Sequence, residues 1–346
     1  MAGTRPSIVE VQYLRAIAVL LVVAGHAYQN EGRFFSDQAF GDFMFFGFSG
    51  VDVFFVISGF IIHTLYRDHQ GFDPGFYLQR LNRIFPMYWL FTLGAVLGYT
   101  LVMGRSLGPV IEGTDWVRTL TLWPANEMPL LPVAWTLTHE LYFYLAYAIF
   151  LAAPRAWRLP LAGGWLVLTL AGTLLPDAWN NAVLRLVVSP FNWLFLAGAL
   201  MAEFRARLDT YRIPAGILAV LGAGLGVFWT SRHGIAGLDD PLVRVAVFAP
   251  FAIGIVATLL SWKPRFPGFI ARIGDGSYVL YLGHALLLDV LARLLAARID
   301  GTAFDSLVFY PTGLIAVLAM AFIAHSLAER PLLKLGKQAI RVLTKG

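Results

Sequence analysis

The chain has 346 residues, of which 58% are hydrophobic and only 14% are charged, and its mean hydropathy is +0.68. Soluble domains carry about 25% charged residues, so this composition excludes an ordinary water-soluble globule. The absence of cysteine from the sequence excludes structural disulfides and thiolate metal sites. In a membrane protein the net charge of +5 indicates basic cytoplasmic loops rather than a nucleic-acid partner. The sequence therefore predicts an all-α, polytopic membrane protein.

Apolar runs long enough to cross a bilayer recur along the whole chain, separated by short polar breaks. A helix needs roughly 20 mostly apolar residues to span the hydrocarbon core. About ten membrane helices are predicted on this basis. They form one integral membrane domain over 1–346, with its core at about 8–331 and no separate soluble domain. The predicted spans are approximately 8–27, 43–66, 85–103, 134–152, 160–176, 183–203, 213–231, 241–261, 273–297 and 306–327.

Basic residues alternate between the connections of these spans. One set of connections, to which both chain ends belong, is rich in lysine and arginine, whereas the other set is sparser and contains more acids. Since lysine and arginine remain on the cytoplasmic side, both termini are predicted to be cytoplasmic. The basic set includes Arg67, Arg80, Arg83, Arg155, Arg158, Arg205, Arg207, Arg212, Lys263, Arg265 and Arg272.

Ionisable side chains inside the predicted spans are candidate functional residues, because each costs about 2.5–3.5 kcal/mol on insertion scales. Arg15 and His26 lie in the first span, eleven residues apart. At 100° per residue this spacing places them on one helix face within about 20°, and about 16 Å apart along the axis. Either both line one channel that opens to the cytoplasm, or a snorkelling arginine and an interfacial histidine share the face without a joint role.

Two acidic residues lie in the second and fourth predicted spans. Asp52 either pairs with an arginine or orients a histidine that acts as a base. Glu140 follows His139 in WTLTHELYFY, just inside the predicted outer boundary of its span. The string HELYF lacks the second histidine of the zinc motif HExxH, so no metal site is predicted. Glu140 is then a partner of an arginine or histidine, or a residue that binds the acceptor.

Further candidates lie in the ninth span and before the third. Tyr281 and His284 are three residues apart in SYVLYLGH and occupy neighbouring positions on one helix face. A single histidine at this depth is more often structural than catalytic, and the sequence assigns no role to His63 or His139.

Arg80 and Arg83, in QRLNRIFP, precede the third span on its cytoplasmic side. On a helical turn the two arginines can face one anion together, and guanidinium groups suit phosphate oxygens. The alternative is two lipid-facing arginines at a cytoplasmic membrane edge.

Two classes of function are consistent with these residues. An acyltransferase would hold a phosphate-bearing donor at Arg80 and Arg83 and pass its thioester by Arg15 towards His26, the general base. The distance from Arg15 to His26 is comparable to an extended phosphopantetheine arm, which favours coenzyme A. A proton-coupled transporter would instead use Asp52, His26, Glu140 and His284 in a relay, but the matching halves that such transporters show are not visible in the sequence.

Several motifs in the chain resemble, in the same order, those of the acyltransferase-3 family of membrane enzymes that acylate cell-surface glycans. The first is YLRAIAVLLVVAGH, which contains the R-x10-H pattern of Arg15 and His26. It is followed by GVDVFFVISGFII, the RxxR of Arg80 and Arg83, IFPMYW, WTLTHELYFY, SYVLYLGH and a terminal ERP. The first motif is most similar to exopolysaccharide O-acetyltransferases that act on succinoglycan-type polymers.

The resemblance implies about ten helices in a bacterial inner (plasma) membrane, with acetyl-CoA entering from the cytoplasm. It implies a glycan or a lipid-linked oligosaccharide as acceptor, with membrane lipid but no nucleic acid as partner. His26 takes the catalytic position, with Glu140 near the reaction centre. The residues expected to bind the donor are Arg15, Arg80, Arg83, Tyr281 and His284.

These expectations combine into one mechanism. Neutral His26 accepts the proton of a sugar hydroxyl, which attacks the acetyl thioester, and Asp52 or Glu140 orients the imidazole as the third member of a triad does. Nearby hydroxyls or Arg15 stabilise the oxyanion. An acetyl-enzyme formed on His26 is equally consistent with the sequence.

Overall fold

A computed structural model of the protein describes residues 8–36, 38–69, 71, 74–101, 112–175, 179–298 and 303–343. Within these ranges the chain forms helices and no β-strand, which confirms the predicted all-α class. The α-helices are α1 (Val9–Phe34), α2 (Ser49–Tyr66), α3 (Pro74–Leu101), α4 (Trp116–Thr121), α5 (Trp135–Ala152), α6 (Arg155–Gly172), α7 (Ala182–Val187), α8 (Phe191–Glu203), α9 (Arg212–His233), α10 (Pro241–Trp262), α11 (Gly268–Asp275), α12 (Ser277–Ala296), α13 (Ala303–Ala324) and α14 (Arg330–Leu343).

Seven helical segments of the described chain are long and apolar enough to cross a membrane, judged by length and composition. The protein is thus a multi-pass membrane protein. Three further predicted spans fall on α3, α5 and α6, and a few of their end positions lie outside the described residues. The total of ten crossings stays a prediction. The seven segments are Val9–Phe34, Asp42–Tyr66, Ala182–Glu203, Arg205–His233, Pro241–Trp262, Ser277–Ala296 and Ser306–Val342.

The third helix differs from its predicted limits. The apolar run begins at residue 85, but α3 begins at Pro74 and continues without a break through Pro86. Proline is favoured in the first turn of a helix, where its missing N–H needs no partner. Arg80 and Arg83 therefore lie inside a continuous helix, not ahead of one, and their three-residue spacing does place them on neighbouring positions.

The helices group into two compact units, each built from more than one stretch of the chain. The first unit comprises Met1–Gln29, Ala39–Thr64 and Leu194–Tyr278, and the second comprises Asn30–Gln38, Leu65–Trp193 and Val279–Gly346. The prediction of one acyltransferase domain over the chain stays a prediction.

Glycines bring the helices of the first unit close together. A Cβ at Gly50 would meet the carbonyl oxygen of Ala18 on α1, and a Cβ at Gly59 would meet that of Phe195 on α8. Because glycine has no Cβ, α2 lies directly against both backbones, the contact that small residues allow between membrane helices. This approach places the start of α2 beside the middle of α1.

Arg158 stabilises the second unit through backbone contacts. The sequence places Arg158 in a basic cytoplasmic connection, and in the structure the residue is buried, with 8% of its surface exposed. Its guanidinium donates to the carbonyl oxygens of Arg67 (2.9 Å), His69 (2.6 Å), Leu151 (3.1 Å) and Ala153 (3.4 Å). One side chain thus ties the segment after α2 to the end of α5.

Replacing Arg158 by alanine should lower the melting temperature of the purified protein. Four carbonyl oxygens would lose a charged donor, and a hydrogen bond to a charged group contributes about 1.5–3 kcal/mol. Thermal unfolding in detergent measures the change. Arg155→Ala is the matched control, since Arg155 is exposed at the start of the same helix; equal melting temperatures for the two variants would show that the clamp contributes nothing.

Candidate active site

The first helix carries the predicted pair Arg15 and His26 without interruption. Because α1 is regular from Val9 to Phe34, the eleven-residue spacing keeps the two side chains on one face. Both residues are half-buried. The tunnel predicted between them stays a prediction.

His26 is oriented by two contacts within the first unit. Its Nδ1 lies 3.0 Å from the carbonyl oxygen of Val22, and its ring meets the ring of Phe48 edge-on, with centroids 4.8 Å apart and planes at 86°. A carbonyl oxygen only accepts, so Nδ1 carries the hydrogen and the neutral imidazole has its lone pair on Nε2. Nε2 is therefore the atom of His26 that can accept a proton.

The position of Phe48 follows from its glycine neighbours. Phe48 ends a short 3-10 helix, Asp42–Phe48, that leads directly into α2. A Cβ at Gly47 would meet the backbone of Leu21 and Gly25, and a Cβ at Gly25 would lie 3.4 Å from the Phe48 ring. Glycine at position 47 therefore allows the chain before α2 to approach α1, and the Phe48 ring lies beside His26.

A buried ion pair lies beside this contact, and the sequence had indicated only one of its members. Asp52 has no exposed surface, and its Oδ2 accepts a hydrogen bond from Nη2 of Arg244 at 3.2 Å. The same Nη2 donates to the carbonyl oxygen of Phe48 at 3.0 Å. Arg244 also lies near enough to His26 to act on it electrostatically.

Arg244, the fourth residue of α10, was missed by the sequence analysis. A signal existed, because a lone aspartate in a membrane span needs a cation and few arginines lie inside predicted spans. Of the two roles left open for Asp52, the structure thus shows the contact with an arginine. Nδ1 of His26 lies against the Val22 carbonyl, and the role of Asp52 in orienting the imidazole stays a prediction.

A second cluster, in the second unit, surrounds Arg80 with aromatic rings. The guanidinium carbon lies 5.5 Å from the ring centroid of Tyr66 and 5.9 Å from those of Phe76 and Tyr144. Nη2 donates to the Tyr66 hydroxyl at 3.3 Å. The Nε atom is buried, with no hydrogen-bond partner among the described residues. The cage therefore holds a cation that retains a donor for an anionic ligand.

Glu140 belongs to the same cluster. The Tyr144 hydroxyl, one turn later on α5, donates to Glu140 Oε1, and Glu140 acts electrostatically on Arg80. Arg83 acts on Tyr144 in the same way. The sequence placed Glu140 near the outer boundary and Arg80 at the cytoplasmic edge, whereas the structure shows both as neighbours of Tyr144. The role of Glu140 beside His26 stays a prediction.

Tyr281 and His284 are packed inside the second unit. The Tyr281 hydroxyl donates to the Val133 carbonyl (3.1 Å) and lies 3.0 Å from Thr136 Oγ1. His284 is fully buried, and its Nδ1 lies 2.7 Å from the Tyr281 carbonyl oxygen. These contacts hold α12 against the start of α5. A direct role of either residue in donor binding stays a prediction.

The two histidines without a predicted role have polar partners. His63 Nε2 lies 2.8 Å from Glu203 Oε2, and His139 Nε2 lies 3.4 Å from Ser189 Oγ. In the described part of the chain, no three histidine, aspartate or glutamate side chains converge as metal ligands.

The chain resembles known proteins over most of its length. The model of the acyltransferase-3 family, described as an acyltransferase domain, matches residues 8–326. The exopolysaccharide production protein ExoZ of Rhizobium meliloti (strain 1021) is 29% identical over 321 residues, which cover 90% of this chain and 95% of the relative. Nodulation protein 10 of Rhizobium leguminosarum bv. viciae is 28% identical over 359 residues (93% and 92%).

A more distant relative is the putative peptidoglycan O-acetyltransferase YrhL of Bacillus subtilis (strain 168). It is 25% identical over 78% of this chain and 47% of the relative. No solved structure gives a significant match. Because the family match extends over nearly the whole chain, from the helix that carries His26 to the end of α13, the protein belongs to the acyltransferase-3 family and is a membrane acyltransferase.

Proposed function

We propose that the protein moves an acetyl group from cytoplasmic acetyl-CoA to a hydroxyl of a cell-surface polysaccharide or its lipid-linked precursor. The observation that carries the proposal is His26: a half-buried imidazole in a membrane helix, whose Nδ1 lies against a carbonyl oxygen, so that the neutral ring has its lone pair on Nε2. The name of the exopolysaccharide production protein, which the chain covers almost completely, supports an exopolysaccharide as acceptor.

In the proposed reaction, Nε2 of His26 accepts the proton of the sugar hydroxyl as the hydroxyl oxygen attacks the acetyl carbonyl carbon. A carbon–oxygen bond forms, the thioester carbon–sulfur bond breaks, and the imidazolium returns its proton to the coenzyme A thiolate. Transfer through an acetyl group held on Nε2 has the same overall balance. Asp52 supports His26 through its contact with Arg244, and Glu140 contacts Tyr144 in the Arg80 cluster.

The donor phosphates are assigned to the Arg80 cluster. Arg80 has a buried, unsatisfied Nε–H, and Arg83 lies one helical turn away on the same side of α3. Guanidinium groups bind phosphate oxygens through parallel hydrogen bonds. Arg15 is assigned to the pantetheine arm, on the helix face that leads to His26. Tyr281 and His284 support this donor site by holding α12 against α5.

The proposed topology has ten crossings and two cytoplasmic termini in a bacterial inner membrane. Support comes from α3 and α6, which lie outside the seven segments selected by composition but expose large apolar side chains. On α3 these are Leu93 and Leu97, 56% and 48% exposed and one turn apart. Since the chain has no cysteine, single cysteines at Arg265 and Asp239 test the sidedness, and labelling of both by an impermeant thiol reagent from the same side would contradict it.

Deletion of the gene followed by NMR of the purified polysaccharide tests the function. The proposal predicts loss of O-acetyl signals and their return when the wild-type gene is supplied. A polymer with normal O-acetylation would contradict it. Normally acetylated polymer retained inside the cell would favour the transporter alternative instead.

A further inference from the structure

Burial of the Arg244 and Asp52 pair in the first unit costs free energy. Asp52 is completely buried, only 12% of the Arg244 side chain is exposed, and Asp52 Oδ1 is buried without a hydrogen-bond partner among the described residues. Removing two charges from water is costly, and replacing a buried ion pair by apolar residues is often neutral or stabilising. Stability is therefore a weak reason for this pair to exist, and its position suggests another.

Arg244 reaches from α10 to the junction at which α2 begins. One nitrogen, Nη2, serves both the backbone carbonyl of Phe48, the residue just before α2, and the carboxylate of Asp52 in the first turn. The two bonds fix the guanidinium relative to this junction. Because the carbonyl belongs to Phe48, they also limit how far the Phe48 backbone can move.

Phe48 passes this constraint on to His26. Its ring meets the imidazole edge-on and belongs to a buried apolar cluster that includes Tyr28 and Phe248. The Nδ1 atom of the imidazole is held by Val22, a residue of its own helix. The Phe48 ring therefore limits rotation of the imidazole about its side-chain bonds, and this rotation sets the direction of Nε2.

We propose that Arg244 is a positioning residue for His26: it fixes Phe48, and Phe48 holds Nε2 in the direction needed for proton transfer. Asp52 holds the guanidinium in place. This inference rests on the proposed function of His26 as a base. It differs from a simple neutralising role for Arg244, in which the arginine would serve only to balance the charge of Asp52.

A charge-free double variant separates the two roles. Arg244→Gln combined with Asp52→Asn leaves no uncompensated buried charge, so the neutralising role predicts normal turnover. The positioning role predicts a fall in kcat of about 10²-fold, the effect of a displacement of about 1 Å in an active site, with the KM for acetyl-CoA unchanged. Phe48→Leu, which keeps Arg244 and Asp52, should lower kcat to a similar extent.

The matched control removes another ion pair of the same chemistry. Arg293 and Asp289 on α12 are linked at 2.9 Å, and Arg293→Gln with Asp289→Asn should leave kcat unchanged. Wild-type kcat in the Arg244 and Asp52 double variant would overturn the inference. The inference would also be overturned if kcat fell in the double variant but stayed at the wild-type value in Phe48→Leu, because Phe48 would then not transmit the constraint.

A second readout needs no turnover. The rate at which diethyl pyrocarbonate modifies His26, followed by mass spectrometry, should differ from wild type in the double variant and in Phe48→Leu, whereas the rate at His139 should not change. An unchanged rate at His26 would overturn the inference. His26→Ala in the same transfer assay tests the proposed function separately. Full activity in this variant would show that His26 is not the base. The modification rates would then still test whether Arg244 and Phe48 position the His26 ring.

Discussion

Replacing His26 by alanine should lower the rate of acetyl transfer by about 10²–10⁴-fold, the usual effect of removing a general base. Alanine has no atom that accepts the hydroxyl proton. The rate is measured as transfer of labelled acetyl from acetyl-CoA to polysaccharide, at equal amounts of folded protein in the membrane.

A second histidine provides the control for this prediction. His233 is exposed at the end of α9 and stacks on Trp229, with ring centroids 4.3 Å apart. His233→Ala should therefore transfer acetyl at the wild-type rate. Full glycan acetylation by His26→Ala, at normal protein levels, would exclude His26 as the base.

Replacing both Arg80 and Arg83 by alanine should raise the KM for acetyl-CoA by about tenfold to a hundredfold, while the affinity for the acceptor is unchanged. A hydrogen bond to a charged group contributes about 1.5–3 kcal/mol, and the buried Nε–H of Arg80 has no other partner among the described residues. Initial rates at varied acetyl-CoA and saturating acceptor give the KM.

Two single variants show which contacts account for the increase in KM, and a third serves as the control. Arg80→Lys keeps the charge but loses the planar guanidinium that stacks between the rings and binds phosphate through two nitrogens, so most of the increase in KM should remain. Tyr144→Phe removes the hydroxyl bonded to Glu140 and should have a smaller effect. Arg67→Ala, which removes an exposed arginine paired with Asp68 at 3.8 Å, is the control. An unchanged KM in the double variant would contradict the assignment of the donor site.

Contacts within one helix were predictable from the sequence, because a regular helix turns 100° per residue. Arg15 and His26 share a face of α1 for this reason, and Arg80 and Arg83 are neighbours on α3. The apolar pattern also located the long helices. The apolar pattern did not locate the start of α3, because the mean hydropathy of a window falls where arginines appear. The pattern does not show that aromatic rings cover Arg80.

Contacts between distant segments were not predictable from spacing. Arg244 and Asp52 are separated by 192 residues, and no periodic pattern connects two helices so far apart in the chain. Asp52 alone indicated that a buried carboxylate would need a partner, without naming it. Tyr144 stands at the end of the WTLTHELYFY motif but was not selected, because its importance lies in joining Glu140 to Arg80 across two helices.

Vesicles of defined orientation, prepared from cells that make the polysaccharide, test the central claim most directly. Labelled acetyl-CoA is added outside sealed inverted vesicles, where it meets the cytoplasmic face. We expect acetyl label to appear on the acceptor in wild-type vesicles and to be absent from vesicles that contain His26→Ala. Transfer that occurs only in right-side-out vesicles, or that proceeds equally well without the imidazole of His26, would contradict it.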